Sequence, residues 1–327
     1  MGRSALDLNL RKSLKTSLLN ASKINSLMFT NSKIRLSDLL EQSDLTITRD
    51  AEISFAGKLS TDLPDRIVPL STADQLKDGF AAGGMVAVIT TDKLAEAIPE
   101  PLGLIQTPEP MAGLSVVQQM LVDHPSLQWK RFMSRIHPTA QISPAAVVAP
   151  YDVVIGPSTV VSAGANIGPR SIIGARCLIG PQTHIGAEGF QRNSSKPGHL
   201  MPQSGGVQIG DDVTMQSGCV ISRAVFGGFT RIENKVLIDS LVSISHDCKI
   251  GSGTVICAKV SISGGSKVGN SAYLGPNSTI SNGITIGDRV QVSLGAVVTQ
   301  DVSSDQKVSG NFALPHENWL KLIRQFR

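Results

Sequence analysis

From Ile232 onward the chain carries an aliphatic residue at every sixth position: Ile232, Ile238, Ile244, Ile250, Ile256, Ile262, Val268, Leu274, Ile280, Ile286, Val292 and Val298. An earlier block does the same at Ile155, Val161, Ile167, Ile173, Ile179 and Ile185, and Ile136, Ile142 and Val148 open the series. Gly follows the aliphatic residue in many units, and a small or β-branched residue stands four places after it, as at Ala140, Thr159, Val213 and Thr254. A period of six fits neither the 3.6 of a helix nor the simple alternation of a strand. The chain must instead bend once per unit. Short strands with a turn every six residues close into a parallel β-helix, and hexapeptide repeats are its sequence signature. The aliphatic residues then fill the prism in stacked rows, with coils spaced about 4.8 Å apart.

The repeat occupies residues 127–302 and leaves room for a second domain in a chain of 327 residues that is 41% hydrophobic and 17% charged. Residues 31–126 read as a small α/β domain. Asp38–Gln42 reads as a short helix capped by Ser37, Leu45–Thr48 and Ile53–Phe55 as strands, and Met85–Ile89 as a buried strand. Thr91–Ala97 and Ala112–Val122 have helical spacing. One polar Gly/Pro/Ser-rich segment, 191–207, interrupts the repeat. Ile185 and Ile209 stand four units of six apart, so the coil can resume in phase, and loops inserted into a solenoid often line its binding face. The block Ile221–Ile232 is irregular and carries Phe226-Gly227-Gly228-Phe229. After Val302 the chain is expected to leave the coil. Residues 303–327 end in an amphipathic helix, Asn318–Phe326, with Trp319, Leu322, Ile323 and Phe326 on its apolar stripe and Lys321, Arg324 and Arg327 opposite. Residues 1–30 are rich in Ser and basic residues, as transit peptides are, with Asp7 the only acid. They read as a loosely docked arm without the apolar core of a secretory signal.

Several function classes are set aside by composition. A net charge of +4 with no long basic run argues against a nucleic-acid partner. No stretch of 18 apolar residues exists to span a membrane. Cys177, Cys219 and Cys248 fall in the small inward slot of their hexads and Cys257 follows Ile256, so all four read as reduced packing residues, as in a cytoplasmic protein. The six histidines offer no set of three with the spacing a zinc site needs.

The order of motifs narrows the field further. His137-Pro138-Thr139-Ala140 opens the repeat, and Ile185-Gly186-Ala187-Glu188-Gly189-Phe190 precedes a loop that ends at Pro202-Gln203. Ile238-Asp239 and Ile244-Ser245-His246-Asp247 follow, and Gly310-Asn311-Phe312-Ala313-Leu314-Pro315 with Trp319 closes the chain. With these motifs, over roughly residues 35–325, the chain resembles the hexapeptide acyltransferases. Within them it is similar to the UDP-3-O-(3-hydroxyacyl)glucosamine N-acyltransferase family of lipid A biosynthesis. The resemblance implies a left-handed β-helix, three hexads to a coil of eighteen residues, assembled as a homotrimer with active sites in the grooves between subunits. It implies transfer of a 3-hydroxyacyl chain from the phosphopantetheine thioester of an acyl carrier protein to the amine of a sugar, with no tightly bound cofactor.

Residue by residue, His246 matches the family's general base, and an imidazole near neutral pKa is an efficient acceptor for the proton of an attacking amine. Asp239 matches the acid that orients it. Gly264, one coil beyond His246, matches the glycine whose N–H holds the thioester oxyanion. Glu188, Phe190, Gln203 and Asn282 are expected at the substrate, and Lys321, Arg324 and Arg327 at the acidic carrier protein. The chain also departs from the pattern. The family's aromatic pair for the uracil is missing from the matching stretch Ile67–Gln75. Gly283 stands where the family has a later histidine, and Ile221-Ser222-Arg223-Ala224 replaces the I-D-R-G element. Whether the amino-sugar acceptor carries UDP is therefore open. So are two alternatives, an acetyl-CoA-dependent sugar acetyltransferase and a non-catalytic hexapeptide scaffold.

Overall fold

The computed structural model describes residues 32–127, 129–310 and 315–325. The expected arm at 1–30, Arg327 and the stretch 311–314 lie outside them. Two-residue strands alternate with tight turns and stack into three parallel sheets of eight, eight and nine strands. Face A runs from Arg135–Ile136 to Thr285–Ile286, face B from Gln141–Ile142 to Lys307–Val308, and face C from Val147–Val148 to Val297–Val298. The arrangement accords with a left-handed β-helix. In the regular coils each strand pairs with the one eighteen residues on, as Val255 with Tyr273 and Ile256 with Leu274. From Ile155 onward the hexad aliphatics point inward and form one continuous core with Cys177, Cys219 and Cys248. Burial pushes the Cys177 thiol up to about 11 and that of Cys248 to about 12.

The corners explain how a non-glycine sequence turns so often. The third residue after the inward aliphatic adopts a left-handed conformation at one corner after another: Ser158, Arg170, Arg176, Lys235, Asp247, Lys259 and Asn277 have φ between 56° and 62°. Such a conformation costs a non-glycine residue about 1–2 kcal/mol, and the inter-coil hydrogen bonds on either side hold it in place.

Register locates the departures from the regular coil. Ile173 pairs with Ile209, thirty-six residues on, so the inserted segment spans the length of one whole coil and the phase is kept. Ile209 pairs with Ile232, twenty-three residues on, so a second, shorter insertion holds five extra residues. Both leave the prism where face C passes to face A. The coil does not end at Val302 as expected. Val302 bridges to Ile286 and Val308 pairs with Val292, each sixteen residues apart, so a last coil two residues short continues to Val308.

The α/β domain has a five-stranded sheet in the order Thr46–Arg49, Gly103–Gln106, Met85–Thr90, Arg66–Pro69, Phe55–Ala56, antiparallel only at its first pair. Helix Pro110–Asp123 packs on one side. The first helix is Leu36–Leu39, starting two residues earlier than expected, because the hydroxyl of Ser37 donates to Asp50 (2.8 Å) and caps nothing. Helix Ala73–Ala82 was not expected; Thr72 and Gln75 form its capping box. The terminal helix runs His316–Arg324.

The two coil insertions are sockets for this domain. Met201, Val225 and Phe226 belong to the same buried cluster as Leu114, Val117 and Ile67. Gln118, almost fully buried, donates from Nε2 to the carbonyls of Pro202 (3.0 Å) and Val225 (3.0 Å). An ion pair between Asp62 and Lys249 ties the loop after Phe55–Ala56 to face A.

Candidate active site

The corner between faces C and A stacks successive coils into a column: Arg170, the 188–205 segment, Arg223–Gly228, His246–Asp247, Gly264–Gly265 and Asn282–Gly283. Backbone bonds mark its rungs, Gly265 N–H to the His246 carbonyl (2.9 Å) and Gly283 N–H to that of Gly264 (3.0 Å). The α/β domain leans over this column through residues 58–61. A cleft of about 400 Å³ opens between them, lined by Lys58, Ser60, Phe190, His246, Gly264 and Asn282 among others.

His246 is almost buried, at 9% exposure, yet it reaches this cleft. Its Nδ1 lies 2.7 Å from Oδ2 of Asp247. A carboxylate can only accept, so Nδ1 carries the proton and Nε2 keeps its lone pair. Asp247 is itself fixed. Its Oδ1 accepts from Val225 N–H (3.1 Å), and its own N–H donates to the Thr230 hydroxyl (2.9 Å). The left-handed φ of 61° at this corner position turns its side chain back on the preceding residue.

Two glycines close on the ring. A Cβ on Gly264 would stand 2.6 Å from Cε1 and Nε2, and one on Gly189 would stand 2.7 Å from the His246 Cβ and 3.0 Å from Cδ2. Only residues without side chains fit here. Among the described residues no acceptor meets the Gly264 N–H. The site therefore holds a proton acceptor and an unspent amide donor within a few ångströms of each other. Those are the two groups that acyl transfer from a thioester needs, one for the amine proton and one for the oxyanion.

The expected site residues separate into two groups. His246, Gly264, Phe190 and Asn282 meet at the cleft, with Phe190 86% exposed at its mouth. Within this chain no hydrogen bond or ion pair joins Asp239 to His246. Asp239 lies one hexad earlier, at the corner between faces B and C, where its Oδ1 accepts from Ser240 N–H (2.7 Å); Asp247 holds the ring instead. Gln203 is buried behind the cleft. Its Oε1 accepts from Gly189 N–H (2.9 Å) and its Nε2 donates to the Gly189 carbonyl (2.5 Å), which pins that glycine against the imidazole. Glu188 pairs with Arg223 (2.6 Å) and is not among the cleft's walls. Lys321 and Arg324 are exposed on the terminal helix.

Asp247, Gly189 and Lys58 are the site residues that sequence reasoning missed. Asp247 had a signal, since it directly follows His246 at a corner. Lys58 had none, because it arrives from another domain. Its Nζ donates to Gln191 Oε1 (2.8 Å), and burial pushes its pKa down, partly offset by the charge of Asp247. Among the described residues no group of three or more metal-ligating side chains occurs, and no helix is long and apolar enough to cross a membrane.

Comparison with known proteins comes to the same region of the chain. Residues 229–264 match the family described as "Bacterial transferase hexapeptide (six repeats)", and residues 265–300 match "Hexapeptide repeat of succinyl-transferase". The chain is 49% identical over 130 residues to "UDP-3-O-acylglucosamine N-acyltransferase 3" of Gloeobacter violaceus, covering 39% of this chain and 37% of that protein. It is 46% identical over 129 residues to the UDP-3-O-acylglucosamine N-acyltransferase of Syntrophus aciditrophicus, covering 39% and 35%. The matched stretch thus spans well under half the length of these curated relatives. Among solved structures, the UDP-N-acetylglucosamine acyltransferase from Campylobacter jejuni aligns over 59% of this chain and 83% of its own, at 21% identity and a TM-score of 0.45.

Proposed function

We propose that this protein is an N-acyltransferase that joins an acyl chain, carried as a thioester, to the amine of an amino sugar. The observation that carries the reading is the His246 imidazole, held by Asp247 through Nδ1 and standing against the Gly264 main chain in an open cleft. In the reaction the sugar amine attacks the thioester carbonyl. Nε2 of His246 takes the amine proton, and the Gly264 N–H donates to the oxyanion that develops. Collapse breaks the C–S bond, leaves the amide, and returns the proton from the imidazole to the departing thiolate. The names of these relatives suggest UDP-3-O-acylglucosamine as the acceptor.

The donor in this reading is a 3-hydroxyacyl chain on an acyl carrier protein, with Lys321 and Arg324 on the exposed terminal helix offering charge to an acidic partner. The assembly is a homotrimer. Face B supports it, because Leu178, Leu237 and Tyr273 stack outward there at 39–49% exposure, an apolar column suited to a second copy. The enzyme works in the cytoplasm, where its thiols stay reduced.

Mass spectrometry of the products tests this. The protein is mixed with 3-hydroxyacyl carrier protein, 3-hydroxyacyl-CoA or acetyl-CoA, and with UDP-3-O-acylglucosamine or an amino sugar lacking UDP. The expected product is an amide formed from the carrier-protein donor. Preference for acetyl-CoA would replace the donor, and no amide with any pair would remove the proposal.

A further inference from the structure

The cleft beside His246 carries one charge that the proton chemistry leaves idle. Lys58 reaches it from the α/β domain, and its Nζ donates to Gln191 Oε1 (2.8 Å). An ammonium has three N–H donors. Among the described residues no other acceptor and no carboxylate lies within bonding distance of this one. Both oxygens of Asp247, the acid whose charge it feels, are taken by His246 Nδ1 and the Val225 N–H.

The loop that carries Lys58 is fixed before any substrate arrives. The Lys58 N–H donates to the Thr61 hydroxyl (2.9 Å), and its carbonyl accepts from the Thr61 N–H (3.0 Å), which closes a turn. Beneath that turn the buried Arg66 donates from Nη1 to the carbonyls of Leu63 (2.7 Å) and Gly83 (2.6 Å). Ser60 packs on the rung of the reacting centre, since a Cβ on Gly265 would stand 3.1 Å from its Oγ. Gln191 follows two residues after the Gly189 that touches the imidazole. The Lys58 ammonium is therefore bracketed by the Gly264–Gly265 rung on one side and the His246 contact segment on the other.

Two charges appear here as acyl transfer proceeds. Proton uptake makes an imidazolium, and the Asp247 carboxylate already stands 2.7 Å from it. Attack on the thioester makes an oxyanion, to which Gly264 offers a single uncharged donor. Lys58 is the one lysine or arginine among the described walls of the cleft. Burial lowers its pKa, the mark of a place where water is partly removed and a charge acts strongly. The resting site then balances Lys58 against Asp247, and the reacting site balances imidazolium against Asp247 and oxyanion against Lys58.

We propose that Lys58 is a second catalytic donor to the oxyanion, acting beside the Gly264 N–H. This deepens the acyltransferase reading and rests on it. As the amine nitrogen bonds to the carbonyl carbon, the π electrons move to oxygen, and the ammonium hydrogen-bonds that oxygen while keeping its own proton. Collapse re-forms the C=O bond and breaks the C–S bond, and the thiolate takes its proton from His246. A cation held in place beforehand costs no reorganisation when the charge develops.

Lys58→Met keeps the apolar stem and removes the charge, and thermal melting checks that it folds. Its single-turnover rate of sugar-amide formation, at saturating donor and acceptor, should fall about 10²–10³-fold, with the half-saturating acceptor concentration little changed. Ethylammonium added to Lys58→Ala should restore the rate saturably, by about tenfold or more, with only the sugar amide counted by mass. Tetramethylammonium has no N–H and should restore nothing. A Lys58→Met rate close to wild type would overturn the proposal, and so would equal effects of the two cations on Lys58→Ala, the result expected if Lys58 merely holds Gln191. No amide from the wild-type protein would remove the acyltransferase reading and this role together. Amide from the wild type with an unimpaired Lys58→Met would remove this role alone.

Discussion

Replacing Gly264 with Ala perturbs one thing and leaves the backbone alone, since φ at this position lies outside the left-handed region. The added methyl would stand 2.6 Å from both Cε1 and Nε2 of His246. Carbon atoms pack best at about 3.5–4.0 Å, so the ring must retreat by about 1 Å. It cannot do so freely, because Asp247 holds Nδ1 at 2.7 Å and Gly189 backs the other end of the ring. A displacement of about 1 Å in a reacting group can cost roughly a hundredfold in rate, or about 2.7 kcal/mol. Overpacking should also lower stability by about 1–3 kcal/mol. The assay is kcat/KM for amide formation at several donor concentrations, alongside thermal melting. A folded Gly264→Ala protein with wild-type kcat/KM would refute the placement of this amide beside the reacting centre.

Other expectations follow from the same geometry. Asp247→Asn should lower kcat by about tenfold or more, as loss of an orienting carboxylate disturbs the tautomer, while Asp239→Asn should stay within a few-fold; the reverse order in steady-state rates would return the orienting role to Asp239. Gln203→Ala frees Gly189 and should reduce kcat with KM for the acceptor little changed, which initial-rate kinetics can separate. Native protein treated with iodoacetamide at pH 8 should label at Cys257 alone, because the other three thiols are buried and their pKa values raised; peptide mapping reads this. Those raised thiols stabilise the fold below their ordinary value of 9.0 and lose that contribution as pH climbs toward 11–12. Unfolding free energies from denaturant titrations should therefore fall above pH 9, by up to about 1.4 kcal/mol per pH unit for each thiol. Lys58 has the opposite sign. Its pKa is lowered, so the unfolded chain binds more protons just below 10.5 and this lysine partly offsets the fall with pH there. Lys58→Met should therefore steepen that fall in melting curves run across the window.

The repeat made the fold legible because a hexad period fixes both the face a residue occupies and the coil it belongs to. That arithmetic placed Gly264 one rung from His246, and it kept the coil in phase through an insertion as long as one turn of the prism. It failed where phase breaks. Between Val298 and Val302 two residues are missing, so the final coil was invisible to a strict count of six. It also failed where the resemblance was followed in place of the period. Asp239 stands one hexad before the histidine's own unit and so must lie at another corner, while Asp247 shares the corner. The helix Ala73–Ala82 shows little apolar periodicity, and its one local signal is the Thr72–Gln75 capping box. Lys58 and the inter-domain role of Gln118 depend on contacts across more than eighty residues of sequence, which no local pattern encodes.

The central claim is that the imidazole at position 246 removes the amine proton. Single-turnover amide formation by His246→Ala, on the donor and acceptor pair the wild-type protein accepts, tests it most directly. The account predicts a fall of about 10²–10⁴-fold in a protein whose melting temperature and assembled mass match the wild type. Transfer at the wild-type rate would contradict it.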